Sequence, residues 1–307
     1  MNCARWSAQT WLDYRLSSLH MKLTDMRRVL EENGILLTKS LGQNFLHDAQ
    51  QLERIVDLAE VKSGDHVLEI GPGLGPLTEV LLRRGTKVLA IEKDRRLFAL
   101  LRSRWPNTPF LTVEPADALA WLRREARDLS QWKVVSNLPY SVASPMLVEL
   151  AESPTGPISI TVTLQTEVAN RLQANAGQDD YGILSLLVQP NYRPGNCFKI
   201  PASCFFPAPH IESACLTLIR RPAPLVSESL RRQYKRIVKR AFSERRKMMM
   251  KLLKFDWPTD LVESVFGTLN LNPQIRAEKV SLAQFVEIAT RLAEGLSTPA
   301  SSNHSAT

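Results

Sequence analysis

The sequence predicts an α/β fold: a mostly parallel sheet with helices on both faces and one antiparallel strand, followed by a small all-helical domain. Three observations carry this. Short apolar runs alternate with helical segments between residues 66 and 165. A late strand-like run, "ESACLTLIRR" (212–221), follows a Pro-rich stretch with no long helix before it, so it enters antiparallel to its neighbours. After Pro222-Ala223-Pro224 the apolar residues recur only at helical spacing.

In chain order, residues 1–20 show no clean periodicity and lack the apolar core of a signal peptide; they are expected to be a disordered extension, with Met21 as a second candidate start. A short helix is expected over 25–32, closed by Asn33-Gly34. "HVLEI" (66–70), "KVLAIE" (87–92), "FLTVEP" (110–115), "KVVSN" (133–137) and "ISITVTLQ" (158–165) read as strands. Between them, 78–85, 95–105 and "SPMLVELAES" read as helices. The catalytic domain is therefore placed at 21–221. In the helical domain, 225–296, Leu230, Tyr234, Ile237, Val238, Ala241 and Phe242 form one apolar face. Ser281 and Gln284 make a capping box for a last helix carrying Leu282, Phe285, Val286, Ala289 and Leu292, which stops near Gly295. The tail, 297–307, is expected to be disordered.

The chain has 307 residues, 44% of them hydrophobic, enough for a sizeable core. No run of about 18 apolar residues exists, so no membrane span is expected. The four cysteines form no CxxC pair, which points to a reducing cytoplasm without structural zinc, and Cys204 reads as a small buried thiol. Net charge is +8, yet residues 221–254 alone hold 12 Lys or Arg against Glu228 and Glu244, so this segment is +10 and the remainder near −2. A charge run is usually a solvated helix face. One exceeding the net charge of the whole protein favours phosphate binding, by Arg231, Arg232, Lys235, Arg236, Lys239 and Arg240 on one helix and Arg245, Arg246 and Lys247 at the start of the next, after a Ser243 cap.

"EIGPGLGPLT" (69–78) follows the first strand and opens a helix. A dinucleotide loop needs G-x-G-x-x-G, but Gly71, Gly73 and Gly75 give G-x-G-x-G, with Pro76 at the third Rossmann position. That disfavours a nicotinamide oxidoreductase, as does the negative charge of Glu69 beside any pyrophosphate. Glu92 ends the second strand, where a carboxylate can accept both ribose hydroxyls, and Asp117 follows the third, within reach of an adenine amine. Each acid alone reads as a solvated loop residue; three features at consecutive strand ends favour a nucleoside. S-adenosylmethionine is a nucleoside cofactor without phosphates. "NLPY" (137–140) then ends the fourth strand. Pro139 holds Leu138 out of the α region, so the Leu138 carbonyl and the Asn137 side-chain oxygen are two free acceptors, and Tyr140 offers a flat face. This suits a planar substrate with an exocyclic amine; the alternative is a Pro turn with Tyr140 in the core.

"KSLGQNFLHD" (39–48), "EIGPGLGPLT", "NLPYSVASPM", "FFPAPHIES" and "AFSERRK" (241–247), in this order, resemble the KsgA family of ribosomal RNA small subunit adenine dimethyltransferases, from about Lys22 to Leu292. The resemblance implies a Rossmann-like class I methyltransferase with a helical C-terminal domain. It implies dimethylation of two adjacent adenosines in a hairpin near the 3′ end of small-subunit RNA, with S-adenosylmethionine as cofactor. The expected partner is the small ribosomal subunit, met by a cytoplasmic monomer. By the same resemblance, Gln43, Asn44, Leu46, Gly71, Glu92, Asp117 and Asn137 match cofactor positions. Asn137, Leu138, Pro139 and Tyr140 match the target-adenine motif, and Phe205 matches a ring packed on that base. Ser141, His210 and Glu212 depart from the family's usual asparagine, lysine and aspartate. Two rivals share much of this pattern: a large-subunit adenine methyltransferase of the antibiotic-resistance type, and a catalytically silent assembly factor. "AFSERRK" and "RAEKVS" (276–281) speak against the first, and the intact Glu92, Asp117 and Asn137 against the second.

Overall fold

The computed structural model describes residues 21–37, 43–106, 108–124 and 127–297. The expected extension over 1–20 and the tail from 298 on lie outside them. The elements run α1 (Leu23–Glu32), β1 (Phe45–Leu46), α2 (Ala49–Leu58), β2 (His66–Ile70), α3 (Pro76–Arg83), β3 (Lys87–Glu92), α4 (Arg95–Arg104), β4 (Leu111–Pro115), α5 (Ala118–Arg124), β5 (Trp132–Asn137), α6 (Ala143–Glu152) and β6 (Ser159–Gln165). There follow α7 (Thr166–Gln173), α8 (Ile183–Val188), β7 (Tyr192–Ile200), β8 (Phe205–Phe206), β9 (Ser213–Arg220), α9 (Glu228–Ala241), α10 (Met249–Leu253), α11 (Thr259–Thr268) and α12 (Leu282–Ser297).

Two compact units result: one runs up to Ala169 and adds Arg193–Arg220, the other takes Asn170–Tyr192 and the chain from Arg221 on. The first unit holds a seven-stranded sheet of order β4-β3-β2-β5-β6-β9-β7, parallel from β4 to β6, with β9 antiparallel to β6. Buried Val67, Leu68, Val134, Val135, Ile160 and Val162 make its central strands apolar, as a sheet covered on both faces requires. From β2 the chain moves outward through β3 to β4 and then returns to β5 on the other side of β2. The strand order therefore switches between β2 and β5, and a crevice opens beyond their carboxyl ends.

Three differences from the sequence reading have local causes. α3 begins at Pro76, two residues early, because a proline costs little in the first turn, where its missing N–H would be unpaired. β7 has no counterpart among the expected strands: Pro194 and Gly195 interrupt its pattern, which suits the edge position it takes. α12 runs through Gly295 to Ser297 because that glycine serves packing rather than termination; a Cβ there would collide with Leu261 of α11.

The expected boundary near 221 also changes, since residues 170–192 belong to the helical unit. Buried hydrogen bonds hold them there. Tyr234 Oη donates to the Leu186 carbonyl (2.8 Å) and Tyr181 Oη to that of Val280 (3.0 Å), while Gln189 Nε2 braces the segment internally through the Leu172 and Ala174 carbonyls (3.0 and 2.9 Å). The Ser243 cap is corrected as well. Ser243 Oγ donates backward to the Arg240 carbonyl (2.9 Å), closing α9, and 244–248 is a turn. The next helix starts only at Met249, which is buried and donates its N–H to the Ile275 carbonyl (2.9 Å). Arg245, Arg246 and Lys247 are thus exposed turn residues.

The capping box forms as read: Gln284 N donates to Ser281 Oγ (3.2 Å) and Ser281 N to Gln284 Oε1 (2.9 Å). Ser281→Ala should lower the unfolding free energy by about 1 kcal/mol, seen as a lower urea midpoint at unchanged slope.

Candidate active site

The crevice is lined by the segment 43–46, the glycine loop, the ends of β3 and β4, and the turn after β5. It is concave and mostly apolar with a few polar groups, as small-molecule sites are. Gly71 adopts φ +67°, and a Cβ on it would lie 3.2 Å from Pro139 Cγ, so the glycine loop packs directly on the NLPY turn. Gly73 adopts φ +64°, and a Cβ there would meet the Phe45 ring at 2.5 Å. Both backbone conformations are ones that L side chains rarely take.

Glu92 is 6% exposed, and its two oxygens accept N–H groups of Gly73 (3.1 Å) and Asp94 (2.8 Å). Burial pushes its carboxyl above the usual range. Asp117 is more open. It caps α5 by accepting the Ala120 N–H (3.0 Å) and pairs with Lys93 Nζ (2.9 Å), and these two contacts, in that order, hold its carboxyl low. Gln43, Asn44 and Leu46 line the opposite wall, with Gln43 Nε2 3.5 Å from Asp94 Oδ2.

Asn137 ends β5. Its Nδ2 donates to the Asn44 carbonyl (2.8 Å), and its Oδ1 is buried without a hydrogen-bond partner. The assignment of the two amide atoms follows from chemistry, because only the NH₂ can donate to a carbonyl. Leu138 N donates to the Thr163 carbonyl (3.1 Å), while the Leu138 carbonyl makes no hydrogen bond among the described residues. Pro139 sits at φ −59°, ψ 119°, and Tyr140, in the 3₁₀ turn Tyr140–Val142, lines the crevice.

The structure does not bring Phe205 to this crevice. The side chain is 3% exposed, paired with Leu46 across β1–β8 and packed in the core with Leu52 and Val56. Strand alternation turns the next ring, Phe206, the other way, under the Arg27 guanidinium. Ser141 lines the crevice, but His210 and Glu212 do not; they are exposed, and Glu212 pairs with Lys199 (2.9 Å). Cys204 and Cys215 are buried free thiols. Among the described residues no cluster could hold a metal ion, and no helix is long and apolar enough to cross a membrane.

Residues 35–294 match the family described as Ribosomal RNA adenine dimethylase. The chain belongs to this family. Relatives named Ribosomal RNA small subunit methyltransferase A are 36% identical: that of Geobacillus kaustophilus over 277 residues (87% of this chain, 94% of the relative) and that of Streptococcus pneumoniae strain JJA over 282 (87% and 95%). Among solved structures, the 23S rRNA methyltransferase ErmE is 27% identical, covering 81% of this chain and 99% of its own, with a TM-score of 0.63. A dimethyladenosine transferase from Plasmodium falciparum shares the fold (22% identity, 81% and 98% coverage, TM-score 0.68). The protein is thus an rRNA adenine dimethyltransferase of Rossmann-like methyltransferase fold.

For such a dimethylase the charge on Glu69 matters. Burial holds its carboxyl up at about 8, against the hydrogen bond from Thr78 Oγ1 (2.6 Å) and with the help of nearby Glu92. It is mostly protonated at neutral pH, so the charge repulsion assigned to it from sequence does not operate. Pyrophosphate is disfavoured for another reason: among the described lining residues only Lys93 is cationic, and Asp117 already pairs with it. Because the folded carboxyl titrates above the unfolded one, its contribution is full below about pH 4.5 and is lost as pH rises through about 8. Glu69→Gln should therefore flatten the fall in stability between pH 5 and 8, a difference on the order of a few kcal/mol, measured by urea unfolding across that range.

Proposed function

We propose that the protein uses S-adenosylmethionine to dimethylate the exocyclic amines of two adjacent adenosines in the 3′-terminal hairpin of small-subunit (16S) rRNA, contributing to small-subunit biogenesis in the cytoplasm. The observation that carries this is the orphaned Asn137 Oδ1, a buried acceptor at the switch point with its amide direction set by Asn44. A buried polar atom left unpaired costs about 1–3 kcal/mol, and a donor entering the crevice removes that cost. The small-subunit relatives, at higher identity than the 23S enzyme, favour this substrate over large-subunit RNA.

The residues fit the cofactor. Each Glu92 oxygen accepts one N–H and keeps a lone pair, enough for two ribose hydroxyls. Gly71, at φ +67°, lets the loop turn tightly along the crevice wall against Pro139. Gln43, Asn44, Leu46 and Asp117 complete the walls, and the ionised form of buried Glu92 suits a cationic ligand. When bound, S-adenosylmethionine supplies the electrophilic methyl group. The chain's own residues prepare the amine. Asn137 Oδ1 and the Leu138 carbonyl accept its two N–H groups, which favours the pyramidal nitrogen and concentrates its lone pair. No strong general base is needed, because the methylated amine is acidic. Catalysis is mostly positioning and oriented dipoles. The base leaves its stack at a cost of a few kcal/mol, and Tyr140 offers a face worth about 1–3 kcal/mol in stacking.

Primer extension on small-subunit RNA from cells lacking the protein should lose the paired stops that dimethyladenosines cause; their persistence would exclude this substrate. Asn137→Ala should abolish most methyl transfer in single turnover while cofactor affinity falls less. A rate within about twofold of wild type, under ~0.5 kcal/mol, would remove Asn137 from the reaction.

RNA docking is proposed for the basic segment, through phosphates and largely independent of sequence. Arg232, Lys239, Arg245 and Arg246 make no ion pair among the described residues, whereas Lys247 pairs with Glu244 (3.0 Å) and Arg236 and Arg240 with Asp256. Replacing Arg245, Arg246 and Lys247 with Ala should weaken small-subunit binding. Its salt slope should fall by about 0.7–0.9 for each phosphate that is no longer neutralised, with cofactor binding unchanged. Equal slopes would make this cluster a solvated surface.

A further inference from the structure

Ser213 closes the motif "FFPAPHIES" and does not itself line the crevice. Its side chain is 0% exposed, and its Oγ lies 2.5 Å from Tyr140 Oη. The strand sense explains how it gets there. Ser213 is the first residue of β9 and pairs with Gln165, the last of β6. Because β9 runs antiparallel, it starts at the edge where β2 and β5 end. A parallel strand would begin at the opposite edge. The Thr166 N–H and hydroxyl both bond the Glu212 carbonyl (3.0 Å each), fixing the residue just before the ladder. Ser213 Oγ is therefore a rigid point beside the crevice, whereas Tyr140 sits in a turn and can rotate about two side-chain torsions.

We propose that Ser213 is a positioning residue: by anchoring the Tyr140 hydroxyl it holds the ring as a fixed platform for the target adenine beside Asn137 Oδ1. This rests on reading NLPY as the base site. Without the anchor the ring is free to swing into the space the base needs, and its ordering must be repeated at each binding event. Burial keeps the Tyr140 phenol neutral, so either oxygen of the pair can be the donor. Removing one oxygen strands its buried partner; removing both leaves no polar atom unpaired.

The test uses the full-length protein with purified small subunits lacking the modification, in single turnover at saturating cofactor and RNA. Ser213→Ala and Tyr140→Phe should each slow transfer roughly tenfold, with S-adenosylmethionine affinity by calorimetry within about twofold of wild type. The double variant should be no slower than the slower single one, since both changes break one bond. Tyr140→Phe keeps the ring and its packing, so misfolding does not confound it. Unchanged rates, multiplicative losses in the double variant, or a parallel fall in cofactor affinity would each overturn the anchor. An inactive wild type would overturn the base-site reading and the anchor with it.

Discussion

The hydrogen bond from Asn137 Nδ2 to the Asn44 carbonyl is the constraint on which the rest of the crevice depends. It joins residues 93 apart in sequence and fixes which atom of a carboxamide faces the space between β2 and β5. Rotating the amide would set oxygen against oxygen, so the acceptor direction is a property of the chain and not of a bound ligand. The segment supplying that carbonyl is itself held. Phe45, the next residue, packs where a Gly73 side chain would be, and the Gly73 N–H is committed to Glu92. Ser136 Oγ adds a bond to the Ile70 carbonyl (2.5 Å), tying β5 to β2 at the same level. One amide orientation, one glycine loop and one strand-end carboxylate therefore stand or fall together.

Burial gives this crevice its electrostatic character. Glu69 and Glu92 are both pushed up by desolvation, while Asp117, near the mouth, is held low by the Ala120 N–H and Lys93. Proton affinity therefore rises from mouth to floor. Protonated Glu69 contributes no charge, whereas an entering cation stabilises the ionised form of Glu92, which burial disfavours. A dianionic phosphate finds no such partner, which agrees with the incomplete dinucleotide pattern of the loop.

What was legible in the sequence is what local chemistry decides. The parallel strands, the antiparallel entry of β9, the G-x-G-x-G loop and the Ser281–Gln284 box each follow from a few neighbouring residues, and so were readable. What was not legible is set by distant partners. The place of 170–192 depends on Tyr181 and Tyr234 finding carbonyls 99 and 48 residues away. The resemblance assigned Phe205 to the target base, but the pairing of β8 with β1 sends that ring into the core. Ser213 stood in plain view at the end of a motif, but its bond to Tyr140 needs the sheet's topology to be seen. Ser243 read as the N-terminal cap of the next helix, yet its hydroxyl is used by the helix before it.

The basic segment shows the same limit in terms of charge. The run over 221–254 ends two residues short of Asp256, which receives Arg240 through two hydrogen bonds (2.9 and 2.7 Å) and Arg236 at 3.4 Å. Asp256 is held low by Arg240 first and Arg236 second, so it stays ionised and offsets part of the formal +10. The two arginines are not equivalent. A two-pronged pair to a mostly buried carboxylate resists exchange. The longer contact of Arg236, whose side chain is largely exposed, is a weak surface pair that a phosphate can replace. Among the described residues, Arg232, Lys239, Lys251 and the exposed arginines of the turn after α9 make no ion pair and keep their charge for a polyanion. That turn exists because Ser243 closes the helix. Ending α9 there places Arg245 and Arg246 on an exposed turn, where no ion pair among the described residues fixes their guanidinium groups.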